Sequence, residues 1–273
     1  MEKTKYKYLK ESDQVEGLPQ PSLADGIEKD ATVIDLPAPG SFKVRKVDLS
    51  EAIVTRTSIR NYSSKPYTLE ELAYLLYMTQ GVKEVTTRPS TLRTVPSAGS
   101  RHPFETYVLC NRVEGLKPGI YRYAAFDHKL VEVNTGAGLD DKVTAGLYGQ
   151  QMVKHSAVTF MWVAVAYRSM WRYTERAYRY MHLDAGHVCQ NLYLAVQGIG
   201  AGCCGIAAFR DDEINAVLGG RCREIHDLFG DHGQASLTRE DAIDRGSRRT
   251  AGDSRFGRVP CRPVRPGRHA HRQ

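Results

Sequence analysis

Two short polar segments contain residue types that could bind a phosphorylated or flat ligand. In the first, Arg56-Thr57-Ser58-Ile59-Arg60, two guanidinium groups flank two hydroxyl groups. Charged donors that bind in pairs, together with neutral donors, match the oxygens of a phosphate group. A solvent-exposed basic loop is the alternative, because a five-residue motif of this kind is short.

The second segment, PSAGSRHP at residues 96–103, directly precedes a predicted strand. Its small residues allow the backbone to approach a flat ligand closely, and Ser97 and Ser100 can donate hydrogen bonds to ring or ribityl oxygens. The alternative is an ordinary turn between two elements. His102 within the segment does not by itself indicate a general base.

A third segment, residues 200–209, is rich in glycine and contains the adjacent Cys203 and Cys204. It follows a predicted helix, whereas a dinucleotide-binding glycine motif follows a strand and opens a helix, so a Rossmann fold is rejected. The neighbours of both cysteines are apolar, and no histidine or acidic residue stands at ligand spacing. Buried, inert thiols are therefore favoured, and no metal site is predicted.

Three polar residues, Asp184, His187 and Asn191, recur at spacings of three and four, which places them on one face of a helix. They could form a metal or acid–base set. The favoured interpretation is a buried polar stripe whose groups are satisfied by hydrogen bonds across a helix interface.

Local signals predict the helices that must position these segments. Thr68 followed by Glu71 forms a capping box that opens a helix closing at Gly81. Ser50 is the predicted N-cap of a shorter helix before it. The longest helix is predicted from about residue 178 to residue 198, with its apolar residues at spacings of three and four.

Strands are predicted at residues 105–113, 119–126 and 128–133, and the apolar run at 157–167 predicts a buried central strand. A helical stretch near 138–153 precedes that run. Helices and strands are mixed without strict βαβ alternation, so the predicted fold class is α+β.

The composition is that of an ordinary globular chain: of 273 residues, 41% are hydrophobic and 25% are charged. No apolar run reaches the roughly 18 residues of a membrane span, and the polar N-terminus does not resemble a secretory signal. The six cysteines show no CxxC spacing and no pairing pattern. This favours reduced thiols and a cytoplasmic location.

The net charge of +7 is concentrated near the C-terminal end. Residues 221–273 contain 12 Arg, no Lys and 7 acidic residues, a net charge of +5, whereas residues 1–220 carry only +2. We therefore predict a polar, proline-punctuated arm at 1–47, a folded domain at 48–220 and a disordered, Arg-rich tail at 221–273. Nucleic-acid binding through the tail is the alternative function, although no aromatic residue interleaves its arginines after Phe256.

Taken together, the order and spacing of these motifs resemble the nitroreductase-fold flavoproteins, and within them the SagB/ThcOx-type dehydrogenases. The resemblance rests on three stretches, RTSIRNYSSKPYTLEELAYLLYMTQG, PSAGSRHPFETYVLCNRVEGLKPGIYRY and RYTERAYRYMHLDAGHVCQNLYLAVQGIGAGCCGIAAF. It implies an α+β fold with a mixed or antiparallel central sheet flanked by helices. It also implies a homodimer with FMN bound at the dimer interface.

By position in the motifs, the resemblance implies three sets of FMN contacts. Arg56, Thr57, Ser58 and Arg60 match the stretch that holds the phosphate and ribityl chain; Ser97, Gly99 and Ser100 match the loop beside the isoalloxazine; Gly205, Ile206, Ala207 and Ala208 match the segment whose backbone lies against the ring. The flavin carries the redox chemistry, while the protein supplies orientation and electrostatics.

Azoline-oxidising members of this branch use a Lys-Tyr pair that aligns with Arg172-Tyr173. Arginine keeps the positive charge but cannot release a proton near neutral pH, so Arg172 could not act as a base. The difference argues against a heterocycle dehydrogenase and favours a general flavin reductase or dehydrogenase. Tyr173 is the candidate for orienting or protonating a substrate, with a packing role as the alternative.

The tail departs from the family, whose members finish with an apolar strand and a lysine near the FMN phosphate. Only 14 of the 53 residues after Gly220 are hydrophobic, too few for a core element. Codons for residues 225–234 can be chosen so that a reading one base later encodes nearly the expected strand. We hypothesise a frameshift just before Ile225, the alternative being an authentic tail of this lineage.

The predicted function is an FMN-dependent oxidoreductase that passes electrons between NAD(P)H or an organic donor and a small-molecule acceptor in a ping-pong cycle. A flavin-binding protein without turnover is a further alternative, because the family's C-terminal phosphate contact is missing. A membrane is not an expected partner, and a nucleic acid is disfavoured because the body of the chain is nearly neutral.

Overall fold

The computed structural model describes residues 2–219 and a two-residue strand, Ser236–Leu237. The helices are α1 (Leu49–Thr55), α2 (Leu69–Gln80), α3 (Leu139–Gly146), α4 (Met152–His155), α5 (Tyr167–Tyr173), α6 (Ala177–Gly198) and α7 (Asp211–Val217). The strands are β1 (Val33–Asp35), β2 (Val82–Val85), β3 (Thr91–Arg93), β4 (Phe104–Cys110), β5 (Gly119–Ala124), β6 (Lys129–Asn134), β7 (Val158–Ala164) and β8 (Ser236–Leu237). Among the helices of residues 2–219, none combines the length and apolar content that crossing a membrane requires.

Six strands form one sheet in the order β1-β6-β5-β4-β7-β8, and β2 and β3 form a separate ribbon. Neighbouring strands of the large sheet are antiparallel at every pairing, with Val108 of β4 opposite Tyr121 of β5 and Phe160 of β7. The α+β class is therefore confirmed, and the sheet is antiparallel rather than mixed. The run predicted as a central strand is buried, as expected, but β7 lies next to the outermost strand β8.

Helices cover both faces of the large sheet because alternate strand residues point to opposite sides. Val108 and Trp162 lie in one apolar cluster with residues of α2 and α6, such as Leu76 and Leu192. Their strand neighbours lie in a second cluster with residues of α3 and α7, such as Ile214. The predicted apolar face of α6 is confirmed by this packing.

The predicted capping box is confirmed, whereas the predicted N-cap of α1 is wrong. Thr68 Oγ1 accepts a hydrogen bond from the Glu71 amide (3.1 Å), and the Glu71 carboxylate accepts one from the Thr68 amide (2.8 Å). In α1 it is Asp48, not Ser50, that caps the helix, because its carboxylate accepts from the Glu51 amide at 3.0 Å. The helix therefore begins at Leu49, two residues earlier than a cap at Ser50 would place its start, and Ser50 is its second residue.

The helical stretch predicted near 138–153 is two helices, α3 and α4. Between them the backbone at Tyr148 and Gly149 has φ values of 55° and 72°. A left-handed conformation at two successive residues is incompatible with a continuous α-helix, so the chain turns there.

The arm predicted at residues 1–47 contributes a strand to the fold. Val33–Asp35 pairs antiparallel with β6, and Val33 faces Val131. A three-residue strand is set by the open edge of β6 rather than by its own apolar pattern, which is why the sequence did not predict it.

Three buried arginines, one each from β3, β5 and α5, hold the preceding part of the arm in place. Their guanidiniums donate to backbone carbonyls of residues 22–26: Arg93 to Leu23 (3.3 Å), Arg122 to Asp25 (3.0 Å) and Gly26 (2.6 Å), and Arg168 to Ser22 (2.9 Å). The buried Glu105 carboxylate lies 2.6 Å from Arg168 and 3.8 Å from Arg122. We call these three arginines, Glu105 and residues 22–26 the arm clamp.

The tail predicted at 221–273 lies outside the described residues, except for Ser236–Leu237. This strand pairs with Met161 and Phe160 of β7, whereas the sequence predicted no strand after residue 220. A strand of two residues forms through backbone hydrogen bonds alone, and it is too short for an apolar periodicity from which it could be predicted. The predicted disorder and the frameshift hypothesis concern residues outside the described part.

Candidate functional site

The first and third predicted segments come together around Tyr193, a residue of α6. The Tyr193 hydroxyl lies 2.9 Å from Ser58 Oγ and accepts a hydrogen bond from the Gly205 amide at 2.8 Å. The backbones meet as well, because the Ile59 amide donates to the Cys203 carbonyl at 3.0 Å. We call this contact of residues 56–60, residues 203–208 and Tyr193 the Tyr193 junction.

The junction carries positive charge without a carboxylate to balance it. The Arg56 guanidinium lies over the Tyr193 ring, 5.1 Å from its centroid, and Arg60 is exposed. Neither arginine forms an ion pair with a carboxylate among the described residues. Gly205, Ala207 and Ala208 are exposed, whereas Cys203, Cys204 and Ile206 are buried. Such a surface suits an anionic group on the arginines and a flat group on the glycine and alanines.

The cysteines next to the junction are free, buried thiols, as the sequence favoured. Burial raises the pKa of Cys203 well above its usual range, so this group stays a thiol at neutral pH. Within residues 2–219, no cluster of three or more metal-ligating side chains occurs.

The second predicted segment forms a tight loop against α6. Ser97 donates its hydroxyl proton to Asp184 Oδ2 (2.6 Å) and accepts from the His102 amide (2.9 Å), and the Ala98 amide donates to the same carboxylate (3.2 Å). The single hydroxyl proton of Ser97 is thereby used within the protein. Ser97 fixes the loop, which differs from its predicted role as a donor to a ligand.

In the helix stripe, Asp184 and Asn191 are satisfied by hydrogen bonds, as the favoured interpretation predicted, whereas His187 does not belong to a buried stripe. Asn191 donates to the carbonyls of Met78 (3.0 Å) and Thr94 (3.2 Å), while His187 is exposed. Burial raises the pKa of the Asp184 carboxyl above its ordinary value, and the hydrogen bonds from the loop oppose that shift.

His102 is a buried residue of the loop rather than a candidate base. Its Nε2 lies 3.1 Å from the Thr91 carbonyl. Burial, reinforced by the nearby charge of Arg93, lowers the pKa of His102 to about 3. The imidazole is therefore neutral at physiological pH, and so weak a base would not abstract a proton effectively.

Arg172 and Tyr173 lie directly against this loop. A methyl group added at Gly99 would stand 2.3 Å from the Tyr173 hydroxyl and 3.3 Å from Arg172 Cδ. Gly99 also has a φ of 57°, so both space and backbone conformation favour glycine. We call Ser97, Gly99, Ser100, Arg172 and Tyr173 the loop site; the structure thus joins two sets of residues that the sequence treated separately.

The Tyr193 junction and the loop site attach to the same helix. Asp184 and Tyr193 are nine residues apart on α6, which corresponds to about 13 Å along the helix axis. Tyr193 is the functional candidate that the sequence did not reveal. An aromatic residue in an amphipathic helix normally packs in the core, and its contacts with Ser58 and Gly205 depend on the tertiary fold.

Comparison with known proteins gives one consistent result. Residues 53–230 match the nitroreductase family model. A protein of Methanocaldococcus jannaschii named as a nitroreductase is 35% identical over 181 residues, which cover 64% of this chain and 86% of that protein. The trifolitoxin-processing protein TfxB of Rhizobium leguminosarum bv. trifolii is 31% identical over 133 residues, covering 47% of this chain and 36% of TfxB.

The fold agrees with a solved structure. A crystal structure from Ralstonia eutropha, described as a nitroreductase, superposes with a TM-score of 0.59 at 20% identity and covers 84% of this chain and 96% of that one. The chain belongs to the nitroreductase family.

Proposed function

We propose that this protein is an FMN-dependent oxidoreductase that works as a homodimer and passes electrons from NAD(P)H or an organic donor to a small-molecule acceptor. Membership of the nitroreductase family supports a flavin oxidoreductase in general. The observation that carries the finer proposal is the Tyr193 junction, where Arg56 lies over a tyrosine that accepts from the exposed Gly205. Neither Arg56 nor Arg60 has a carboxylate partner among the described residues.

The residues present fit FMN. Those assigned to the phosphate and ribityl chain are Arg56, Thr57, Ser58 and Arg60; those assigned to the ring are Gly99 and Ser100 of the loop site and Gly205, Ile206, Ala207 and Ala208. If Tyr193 donates to Ser58 while accepting from Gly205, the Ser58 proton is available for a phosphate oxygen. Bound FMN would supply hydride acceptance and donation.

Tyr173 and Arg172 act on the substrate in this proposal. Tyr173 is half-buried and its hydroxyl lies beside Gly99, where it can hydrogen-bond a substrate and give it a proton. Arg172 remains charged and therefore orients a substrate rather than removing a proton from it. Asp184 and Ser97 are positioning residues, because they fix the loop against α6.

We place the protein in the SagB-type branch of the family. The 31% identity with TfxB, which is named for processing trifolitoxin, supports that placement. The arginine at position 172, where azoline-oxidising members have lysine, favours a general reductase or dehydrogenase within the branch. The reaction class is therefore electron transfer to a small acceptor rather than azoline oxidation.

The test begins with the colour of the purified protein. We expect a yellow protein that releases FMN on denaturation, is bleached by NADH or NADPH without oxygen, and is reoxidised by a quinone or nitroaromatic compound. Initial rates at varied donor and acceptor should give the parallel lines of a ping-pong cycle, and light scattering should give twice the mass of the chain. A colourless protein in the presence of added FMN would contradict the proposal, whereas flavin binding without turnover would identify a degenerate member.

A further inference from the structure

Arg101 is a buried arginine at the edge of the loop site. The residue is 6% exposed. Its Nε donates to the Gly99 carbonyl at 3.1 Å, and its guanidinium stacks over the Trp171 ring, 5.6 Å from the centroid. Trp171 is the residue directly before Arg172 and Tyr173, so Arg101 lies behind the pair assigned to the substrate.

The charges that surround Arg101 have its own sign. Burial is the largest cause that lowers the pKa of Arg101, and the charges of Arg172 and Arg88 lower it further. The Tyr173 phenol is the nearby group that opposes them. No carboxylate of residues 2–219 forms an ion pair with Arg88, Arg101 or Arg172.

The positive charges of other buried arginines in this chain are compensated within the protein. Arg168 lies 2.6 Å from the Glu105 carboxylate and 2.8 Å from that of Asp25. All three guanidinium nitrogens of Arg93 donate hydrogen bonds within the protein, and Glu105 supplies a favourable charge. A buried guanidinium beside a second one, without a counter-ion in the described part of the chain, is the arrangement expected where a ligand brings the negative charge.

We propose that Arg101 and Arg172 bind the carboxylate of a small organic acid, which is the substrate class of this protein. A carboxylate matches the planar fork of a guanidinium and would neutralise both arginines. The exposed backbone at Gly99 leaves an approach from solvent, and the Tyr173 hydroxyl offers one more donor. The carboxylate site stands on the contacts above; its role as a substrate site rests on the proposed flavin function.

Binding is tested first without any flavin chemistry. Benzoate and its neutral analogue benzyl alcohol are titrated into the full-length protein by calorimetry. We expect benzoate to bind at least tenfold more tightly than benzyl alcohol, since charged hydrogen bonds are stronger than neutral ones. Arg172→Gln should weaken the affinity for benzoate about ten- to a hundredfold and leave the affinity for benzyl alcohol unchanged.

Two further variants keep the result interpretable. Arg101→Lys retains the charge but not the planar fork, so it should weaken benzoate binding less than Arg101→Gln does. Arg210→Gln is the matched control, because Arg210 is exposed and already pairs with Glu213 at 3.1 Å. If Arg101→Gln does not fold, Arg172→Gln still decides the question.

Turnover then separates the two proposals. With 4-nitrobenzoate and 4-nitrobenzyl alcohol as acceptors, Arg172→Gln should lower kcat/KM by a much larger factor for the acid than for the alcohol. Arginine-dependent benzoate binding in a protein that never reduces an acceptor would reject the flavin function and keep the carboxylate site. Equal affinity for benzoate and benzyl alcohol in wild type, or loss of FMN rather than benzoate in Arg172→Gln, would overturn the carboxylate site.

Discussion

The hydroxyl of Tyr193 contacts two chain segments that lie far apart in sequence, one before α6 in the chain and one after it. It accepts from Gly205, twelve residues later, and bonds Ser58, 135 residues earlier. Its ring meanwhile lies under the Arg56 guanidinium. One side chain therefore sets the distance between the residues proposed for the FMN phosphate and those proposed for the ring.

Replacing Arg56 should weaken FMN binding without unfolding the protein. Arg56→Ala should raise the FMN dissociation constant about ten- to a hundredfold, because charged hydrogen bonds contribute roughly 1.5–3 kcal/mol each. Flavin fluorescence quenching measures the constant. Arg45→Ala is the control, since Arg45 is an exposed arginine that donates to the Gln197 carbonyl, about one helical turn beyond Tyr193 on α6, and is not assigned to FMN. Unchanged FMN affinity in folded Arg56→Ala would remove Arg56 from the site.

His102 makes stability depend on pH. Its pKa is about 3 in the folded protein and about 6.5 in an unfolded chain, so below pH 6.5 the unfolded state binds a proton that the folded state does not. Stability is therefore full above about pH 6.5 and falls as the pH is lowered towards 3, by at most about 1.4 kcal/mol per pH unit. Urea unfolding at several pH values should show a shallower fall for His102→Gln than for wild type. The exposed His155→Gln should keep the wild-type slope.

At the scale of elements, the arm clamp joins β3, β4, β5 and α5 to residues 22–26. Glu105→Gln leaves Arg122 and Arg168 buried with less opposing charge, which should lower the free energy of unfolding by about 3–5 kcal/mol. Thermal or urea unfolding measures the loss. Glu114→Gln, at an exposed glutamate, is the matched control. Equal stability of the two variants would mean that the clamp's hydrogen bonds to backbone carbonyls suffice without its acid.

Elements specified by local interactions were predictable, and contacts between distant segments were not. The capping box of α2 depends on Thr68 and Glu71 alone, so the sequence predicted it. Two possible caps stand close together before α1, and only the structure shows that Asp48 is used. Strand β1 forms only by pairing with the edge of β6, and Tyr193 joins the site only because the fold brings Ser58 next to its hydroxyl. The sequence therefore predicted the polar segments of the site but not the residue that joins two of them.

At the scale of the whole molecule, the tail can be separated from the body by two truncations. Removing residues 225–273 also removes β8, whereas removing residues 239–273 keeps Ser236–Leu237 and deletes ten arginines. We expect melting temperatures close to the full-length value for both, because β8 pairs only two residues with β7. A markedly lower melting temperature in the 225–273 truncation alone would make β8 part of the stable fold.

Resequencing the locus tests the frameshift hypothesis, and an uninterrupted read in the present frame would exclude it.

The same truncations test nucleic-acid binding. Residues 1–220 carry a net charge of only +2, so any binding of duplex DNA should require the tail arginines. We expect weak binding that falls steeply with salt and disappears when residues 239–273 are removed. Fluorescence anisotropy at low and physiological salt measures it. Tight binding at physiological salt by a protein that stays colourless with FMN would favour the nucleic-acid function.

The arm clamp also has a consequence for the order in which the chain folds. Residues 22–26 are made early, but the arginines that bind them follow 70 to 146 residues later. During synthesis these carbonyls leave the ribosome and stay hydrated until β3, β5 and finally α5 have emerged. Contacts across so much chain also carry a large loop-closure cost, which delays them in refolding as well. Docking of the arm is thus a closing step of folding, and protease resistance near residues 22–26 would report that the sheet is complete.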